Sequence, residues 1–258
     1  RIPNLLRDMI AEGASNAAFV PVFSEYSVKK SKEEFWHLAN LVLNILLVIL
    51  ALVTILGIIF APLIVRIIAP GFTSDVNKLS ETIRLTRIIY PYLFLIALAA
   101  YCMGLLNSLR HFSLPAFAPC LLNISIIVCA GLFGENVLGL ATGVLIGGLL
   151  QLAIQVPMLR RKGFRYRFVI DYKHPGVRQI GRLMLPRFLG SCIYQLNVFV
   201  DTILSSFSNI VGVGGVAALY FANRIFQFPL GIFGVAISQA ALPTLSCEAL
   251  EEDKLHFK

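Results

Sequence analysis

Charged side chains are scarce in this sequence: Asp, Glu, Lys and Arg make up 14% of its 258 residues, against 57% hydrophobic ones. An ordinary soluble domain carries roughly a quarter charged residues. A water-soluble globular enzyme, a nucleic-acid-binding domain and a secreted disulfide scaffold are therefore disfavoured before any motif is read. The cysteines give no framework. Cys102, Cys120, Cys129 and Cys192 lie within apolar runs and Cys247 at a helix end, positions that suit small core residues rather than bridges. His37, His111, His174 and His256 have no ligand spacing, so no metal site is expected from them. No nucleophile with a base, no phosphate-cradling glycine loop and no paired carboxylates appear on a soluble segment, and an enzyme reading has no support.

Long apolar stretches, in contrast, are plentiful. The uncharged runs 35–65, 88–109, 112–134, 136–159 and 225–247 each exceed the roughly 20 residues with which a helix crosses about 30 Å of hydrocarbon. Two more polar segments, 2–26 with Arg7, Asp8 and Glu12, and 183–208 with Arg187 and Asp201, bring the expected count to seven spans. The expected fold class is an all-α polytopic membrane protein. The chain opens Arg1-Ile2-Pro3-Asn4, without an initiator Met or a signal-peptide pattern, and so reads as beginning inside a larger protein. Prolines in the spans, among them Pro62, Pro91 and Pro186, are expected to kink them.

Loop charge sets an orientation. Lys29, Lys30, Lys32, Arg110, eight basic residues of the segment 160–182, and Lys254 and Lys258 place fourteen on one side, whereas the opposite loops, 69–81, 133–135 and 208–215, hold only Lys78. Positive charge accumulates on the cytoplasmic side, which makes 160–182 cytoplasmic and 69–81 periplasmic. Phe164, Tyr166, Phe168 and Tyr172 interleave with the basic residues of 160–182. Topology alone requires that charge, so the segment reads as lying against membrane lipid and not as a nucleic-acid patch.

The stretch 16–24 (NAAFVPVFS) resembles 238–246 (SQAALPTLS), with Ala, Pro and Ser recurring 222 residues apart. Six intervening spans preserve orientation, the signature of a parallel repeat in a two-bundle transporter. The expected organisation is then 1–165 as first-lobe helices lacking their first member, 166–182 as a basic interlobe loop, and 183–258 as the first two helices of a second lobe.

Ionisable residues inside the spans are the candidate site. Asn4, Asp8, Glu12 and Ser15 share one helical face with Arg7 on its flank. A polar stripe of this kind cannot face lipid, and it lines either a substrate path or an ion pair that holds helices together. Arg224 has no acid within a turn on either side. Its always-charged guanidinium forks onto phosphate or carboxylate, which with Arg7 suits a phosphorylated substrate; snorkelling to the interface is the alternative. Asp201 is the only acid of its span and needs a cation, a proton or a structural partner from another helix. Gly139, Gly143 and Gly147 form a small-residue stripe expected to pack against a neighbouring helix.

These residues also resemble a family. The opening RIPNLLR with Ala11-Glu12-Gly13-Ala14 and 18–26 (AFVPVFSEY), then 69–72 (APGF), 115–119 (PAFAP) with 122–125 (LNIS), and Arg224 with Phe228-Pro229 and Gly231, fall in the order seen in MurJ (MviN) lipid II flippases. The resemblance implies a multidrug/oligosaccharidyl-lipid/polysaccharide exporter fold of two six-helix lobes plus two helices, in the bacterial inner membrane. It implies lipid II as substrate, flipped by alternating access, with Arg7, Arg224 and Glu12 as substrate-binding residues. It also places Asp201 at a possible Na⁺ site, with coupling to a monovalent cation or the membrane potential and no other cofactor. Many members carry Asp before the seventh-helix arginine; here it is Asn223. A multidrug antiporter of the same fold and a non-transporting membrane scaffold are the rival readings.

Overall fold

The computed structural model describes residues 15–134, 136–169, 171, 173–207, 211–212, 214–230 and 233. Among them the regular structure is helical. In chain order the helices are α1 (Ser15–Lys29), α2 (Lys32–Ile59), α3 (Ala61–Ile68), α4 (Val76–Ile89), α5 (Pro91–Ser108), α6 (Ser113–Phe133), α7 (Val137–Arg161), α8 (Pro175–Ser206) and α9 (Gly215–Pro229). Helices α2, α6, α7 and the pair α4–α5, taken as Val76–Ser108, are long and apolar enough to cross a membrane. The chain divides into two compact units, residues 1–200 and 201–258.

Local chemistry sets the helix ends. Ser31 caps α2 by accepting from the Glu34 N–H at 3.2 Å, and Glu33 and Glu34 place negative charge at the positive end of the helix dipole. The expected run 35–65 is divided at Phe60, because Pro62 has no N–H for the helical ladder. Asp75 caps α4 by accepting from the Asn77 and Lys78 N–H groups at 3.0 and 3.1 Å. Helix therefore starts at Val76, well before the expected 88, and the connection before it is shorter than the expected 69–81. The first turns of α4 are too polar for a hydropathy window yet compatible with a helix that leaves the hydrocarbon. Pro91 interrupts the ladder again at the α4–α5 junction. At the other end, α8 starts at Pro175, so Arg178 and Arg182 are helical and only 164–169 is extended.

In the first unit one buried cluster joins five helices. Phe19, Val22 and Phe23 of α1, Phe35, Leu38 and Ala39 of α2, Tyr101, Leu105 and Leu106 of α5, Leu159 of α7 and Ile180 of α8 form one buried cluster. Edge-on aromatic contacts order it, with Phe19–Tyr101 and Phe23–Tyr101 centroids 5.9 and 6.1 Å apart. The buried Tyr101 hydroxyl donates to the Ala39 carbonyl at 2.6 Å, tying α5 to α2. This cluster joins the ends of α1, α5 and α7 to the starts of α2 and α8, the same elements that carry the basic residues of 29–32 and 160–182. The two basic loops thus share one end of the unit, as the charge count requires.

The glycine stripe is a packing surface. A Cβ on Gly147 would lie 2.9 Å from the Leu122 Cα of α6, and one on Gly143 would lie 2.9 Å from the Cys129 Cβ. The Ser125 hydroxyl of α6 donates to the Gly143 carbonyl at 2.7 Å, which is possible only at such close approach. Outside these contacts α2 exposes Ile49, Leu52, Ile55 and Ile59, and α6 exposes Ile127 and Leu132. An apolar surface of that extent belongs in lipid.

In the second unit, Gly214 adopts φ 88°, a left-handed conformation that glycine reaches without steric cost, and α9 begins at the next residue. Ser205 and Ser206 return their hydroxyl protons to the carbonyls of Thr202 and Ile203, as buried hydroxyls in an apolar helix must.

Candidate functional site

Of the four residues singled out from sequence, Arg7 and Glu12 lie outside the described residues. Arg224 stands midway along α9, exposed, with Phe221 three positions before it and Phe228 four after it, both also exposed. Those spacings put all three on one side of the helix. Asp201 is exposed on α8. The ion pairs among the described residues are Lys29–Glu25, Lys30–Glu34 and Arg84–Glu81, all on exposed side chains, so neither Arg224 nor Asp201 is neutralised by a described partner. The described residues hold no group of three or more His, Cys, Asp or Glu side chains that could bind a metal.

The best-defined polar geometry lies at the basic end of the first unit, on residues that hydropathy passes over. Asn40 and Asn44 sit four apart on α2, both buried. The Asn40 amide donates to the Arg165 carbonyl at 3.0 Å and accepts the Arg167 N–H at 2.8 Å. The Asn44 amide donates to the Arg167 and Val169 carbonyls, both at 2.9 Å. Two side chains on one helical face therefore act as the missing neighbouring strand for an extended segment, pairing backbone groups that no ladder satisfies. Their sequence signal was present: two amides at a helical repeat within an otherwise apolar span.

Around this clasp, Trp36 packs edge-on against Phe164 at 5.6 Å between centroids, and Gln179 of α8 donates to Glu25 of α1 at 3.2 Å. The ring of His174 lies 6.2 Å from that of Tyr26 and 5.9 Å from that of His37. His174 Nδ1 accepts the Gly176 N–H at 3.3 Å, a side-chain cap at the start of α8. Partial burial, and then the neighbouring His37, lower the His174 pKa; Asp171 and Glu34 oppose them.

A depressed histidine pKa means that the unfolded chain binds the proton more readily than the folded one. The neutral cap's contribution is complete above about pH 6.5 and is lost as pH falls below it. The expected result is a thermal transition in detergent that drops as pH falls below about 6.5. In His174→Asn, whose amide caps helices without titrating, that component of the drop should vanish. An identical pH profile in the variant would show that His174 does not cap α8.

The entire chain, residues 1–258, matches the family model described as lipid II flippase MurJ. The chain belongs to the MurJ family. Among its curated relatives, the probable lipid II flippase MurJ of Buchnera aphidicola subsp. Schizaphis graminum is 35% identical over 262 residues, covering 100% of this chain and 50% of the relative. The counterpart from Haemophilus influenzae is 34% identical over 257 residues, covering 95% of this chain and 50% of its own length. The lipid II flippase MurJ of Burkholderia cenocepacia is 33% identical over 265 residues, covering 100% of this chain and 51% of the relative. A solved structure of lipid II flippase MurJ in an inward closed conformation superposes with a TM-score of 0.78 at 28% identity, covering 99% of this chain and 51% of that one. The chain spans about half the length of these MurJ relatives. The expected all-α polytopic membrane fold holds, and the relatives are named as flippases, transporters rather than enzymes.

Proposed function

We propose that this chain supplies first-lobe helices and the start of the second lobe of a bacterial inner-membrane flippase. Its cargo is lipid II, the undecaprenyl-pyrophosphate-linked peptidoglycan precursor, moved from the cytoplasmic to the periplasmic leaflet. The observation that carries the reading is the MurJ family match over residues 1–258. The guanidinium of Arg224, which has no ion pair among the described residues and no acid in its own helix, supports it, because such a cation needs an anion. In this reading residues 1–165 belong to the first lobe and 183–258 to the second, with 160–182 cytoplasmic. Arg7 and Arg224 fork onto the pyrophosphate in a hydrated cavity, Glu12 lines the same cavity, and the prenyl tail stays in lipid. Rocking of the lobes then exchanges access between the two sides.

Asp201 is assigned to a monovalent-cation site. A ligand shifts a conformational equilibrium only through different affinity for the two states, and Asp201, a carboxylate with no ion pair among the described residues, is a group whose cation occupancy could differ between them. The test uses the full-length protein in proteoliposomes carrying lipid II, with an impermeant enzyme reporting exposed head groups. Head-group translocation accelerated by the protein is expected, with no uptake of lipophilic cations; the opposite pattern would indicate a multidrug antiporter, and neither would indicate a scaffold. Asp201→Asn should retain lipid II binding and lose most of the response to a Na⁺ gradient or membrane potential. Full gradient dependence in that variant would overturn the assignment.

A further inference from the structure

A cleft of about 470 Å³ opens at the basic end of the first unit, between the first turns of α2 and the extended segment. Its volume falls within the range of small-ligand sites, about 300–1,000 Å³. The walls differ in sign. Glu33, Glu34 and His37 stand on the α2 side, Arg165 and Arg167 on the other, with Trp36 and Asn40 also lining it.

Local backbone geometry and the Asn40 contacts set this opposition. In extended chain, alternate residues share a face, so Arg165 and Arg167 line the cleft together while Tyr166 and Phe168 are 56% and 73% exposed. The Asn40 clasp holds the backbone of both arginines, at 3.0 Å to the Arg165 carbonyl and 2.8 Å from the Arg167 N–H, so their placement is built into the fold. Glu33 and Glu34 are where they are because Ser31 starts α2 just before them. Glu34 is shared with Lys30 at 3.6 Å, whereas Glu33, Arg165 and Arg167 have no ion pair among the described residues. The cleft is therefore lined by one acidic residue and two basic ones that have no ion pair among the described residues.

Depth in the membrane selects the ligand. The cleft sits where the apolar spans α2 and α7 meet their charged ends, and exposed Tyr166 and Phe168 beside it are amphipathic or aromatic groups of the kind that settle at head-group level. A simply anionic head group would meet Glu33 and Glu34 unfavourably, and a simply cationic one would meet Arg165 and Arg167. A head group carrying both a phosphate and a primary ammonium satisfies both walls.

We propose that this cleft is a binding site for an amino-phosphodiester lipid head group, with the phosphate on Arg165 and Arg167 and the ammonium on Glu33. The bound molecule is a phosphatidylethanolamine of the surrounding bilayer, and the site is separate from the Arg7 and Arg224 machinery proposed for the cargo. It would anchor the clasped segment to the head-group layer.

The test is native mass spectrometry of the full-length protein in detergent, titrated with phosphatidylethanolamine, phosphatidylglycerol and soluble phosphoethanolamine. Wild type is expected to bind phosphatidylethanolamine about tenfold more tightly than phosphatidylglycerol, a factor within reach of one well-placed charged contact. Glu33→Gln should erase that preference, and Glu33→Lys should reverse it, a gain that misfolding cannot produce. Arg165→Gln with Arg167→Gln should weaken both lipids by about tenfold or more. A wild type that prefers phosphatidylglycerol, or a Glu33→Lys variant with unchanged preference, would overturn the proposal. Soluble phosphoethanolamine binding as tightly as the lipid would overturn the assignment to a bilayer lipid.

Discussion

Arg224→Ala in the full-length protein is expected to lower lipid II translocation in proteoliposomes by about 100-fold, the equivalent of about 3 kcal/mol for losing a bidentate charge-assisted contact. The structure supplies half of the reason. Arg224 is exposed on α9 among Phe221 and Phe228, with no acid in its own helix and no ion pair among the described residues. A guanidinium so placed does not hold the fold together, so its loss should leave expression and melting temperature nearly unchanged. Arg224→Lys separates charge from shape: a lysine presents a point charge without a fork, and partial activity, between wild type and Ala, is expected. Arg7→Ala should behave in the same way if both side chains grip one pyrophosphate. Full activity of Arg224→Ala would assign this arginine to the lipid interface and remove it from the substrate path.

The second large effect falls on the clasp. Replacing both Asn40 and Asn44 with Leu keeps side chains of similar size on α2 but removes four hydrogen bonds to the segment 165–169. At about 1 kcal/mol each, partly offset because water can reach an exposed segment, the net loss is about 3 kcal/mol. Local opening should then become about 100-fold more frequent. Hydrogen exchange at the Arg167 amide reads this directly, since its N–H donates to Asn40 Oδ1. Trypsin cleavage after Arg165 or Arg167 should accelerate in parallel. Unchanged protection of the Arg167 amide would show that the aromatic packing of Trp36 on Phe164, rather than the amide ladder, holds the segment.

Much of this architecture can be read without coordinates, because lipid imposes a one-dimensional rule. A helix that must satisfy its own backbone in hydrocarbon needs a long apolar run, and runs such as 112–134 and 136–159 coincide closely with α6 and α7. Charge asymmetry is likewise a sum over loops, and two of the loops it assigns to one side, 29–32 and 160–182, do lie beside one buried cluster. The spacing of Gly143 and Gly147 declares a close helix contact before its partner is known, and the partner proves to be α6. The family, too, is written in local motifs such as the opening RIPNLLR.

Tertiary structure alone decided what local rules cannot encode. Hydropathy averages over a window, so it merged α2 with α3 and missed the polar beginning of α4, where a single cap at Asp75 starts the helix. The basic stretch 160–182 reads as one loop because all but one of its charged residues are positive. In the fold it divides into an extended clasp and the start of α8, a division made by Asn40 and Asn44 more than 120 positions away. Pairings at that separation depend on which helix faces meet, and a periodicity does not carry that information. The same holds for the cleft, whose opposed charges are unremarkable as Glu33 and Arg165 in a sequence and become a site only when α2 and the extended segment are brought together. Composition fixed the solvent and the repeat of spans, because those are additive along the chain; the clasp and the cleft are set by contacts, which are not.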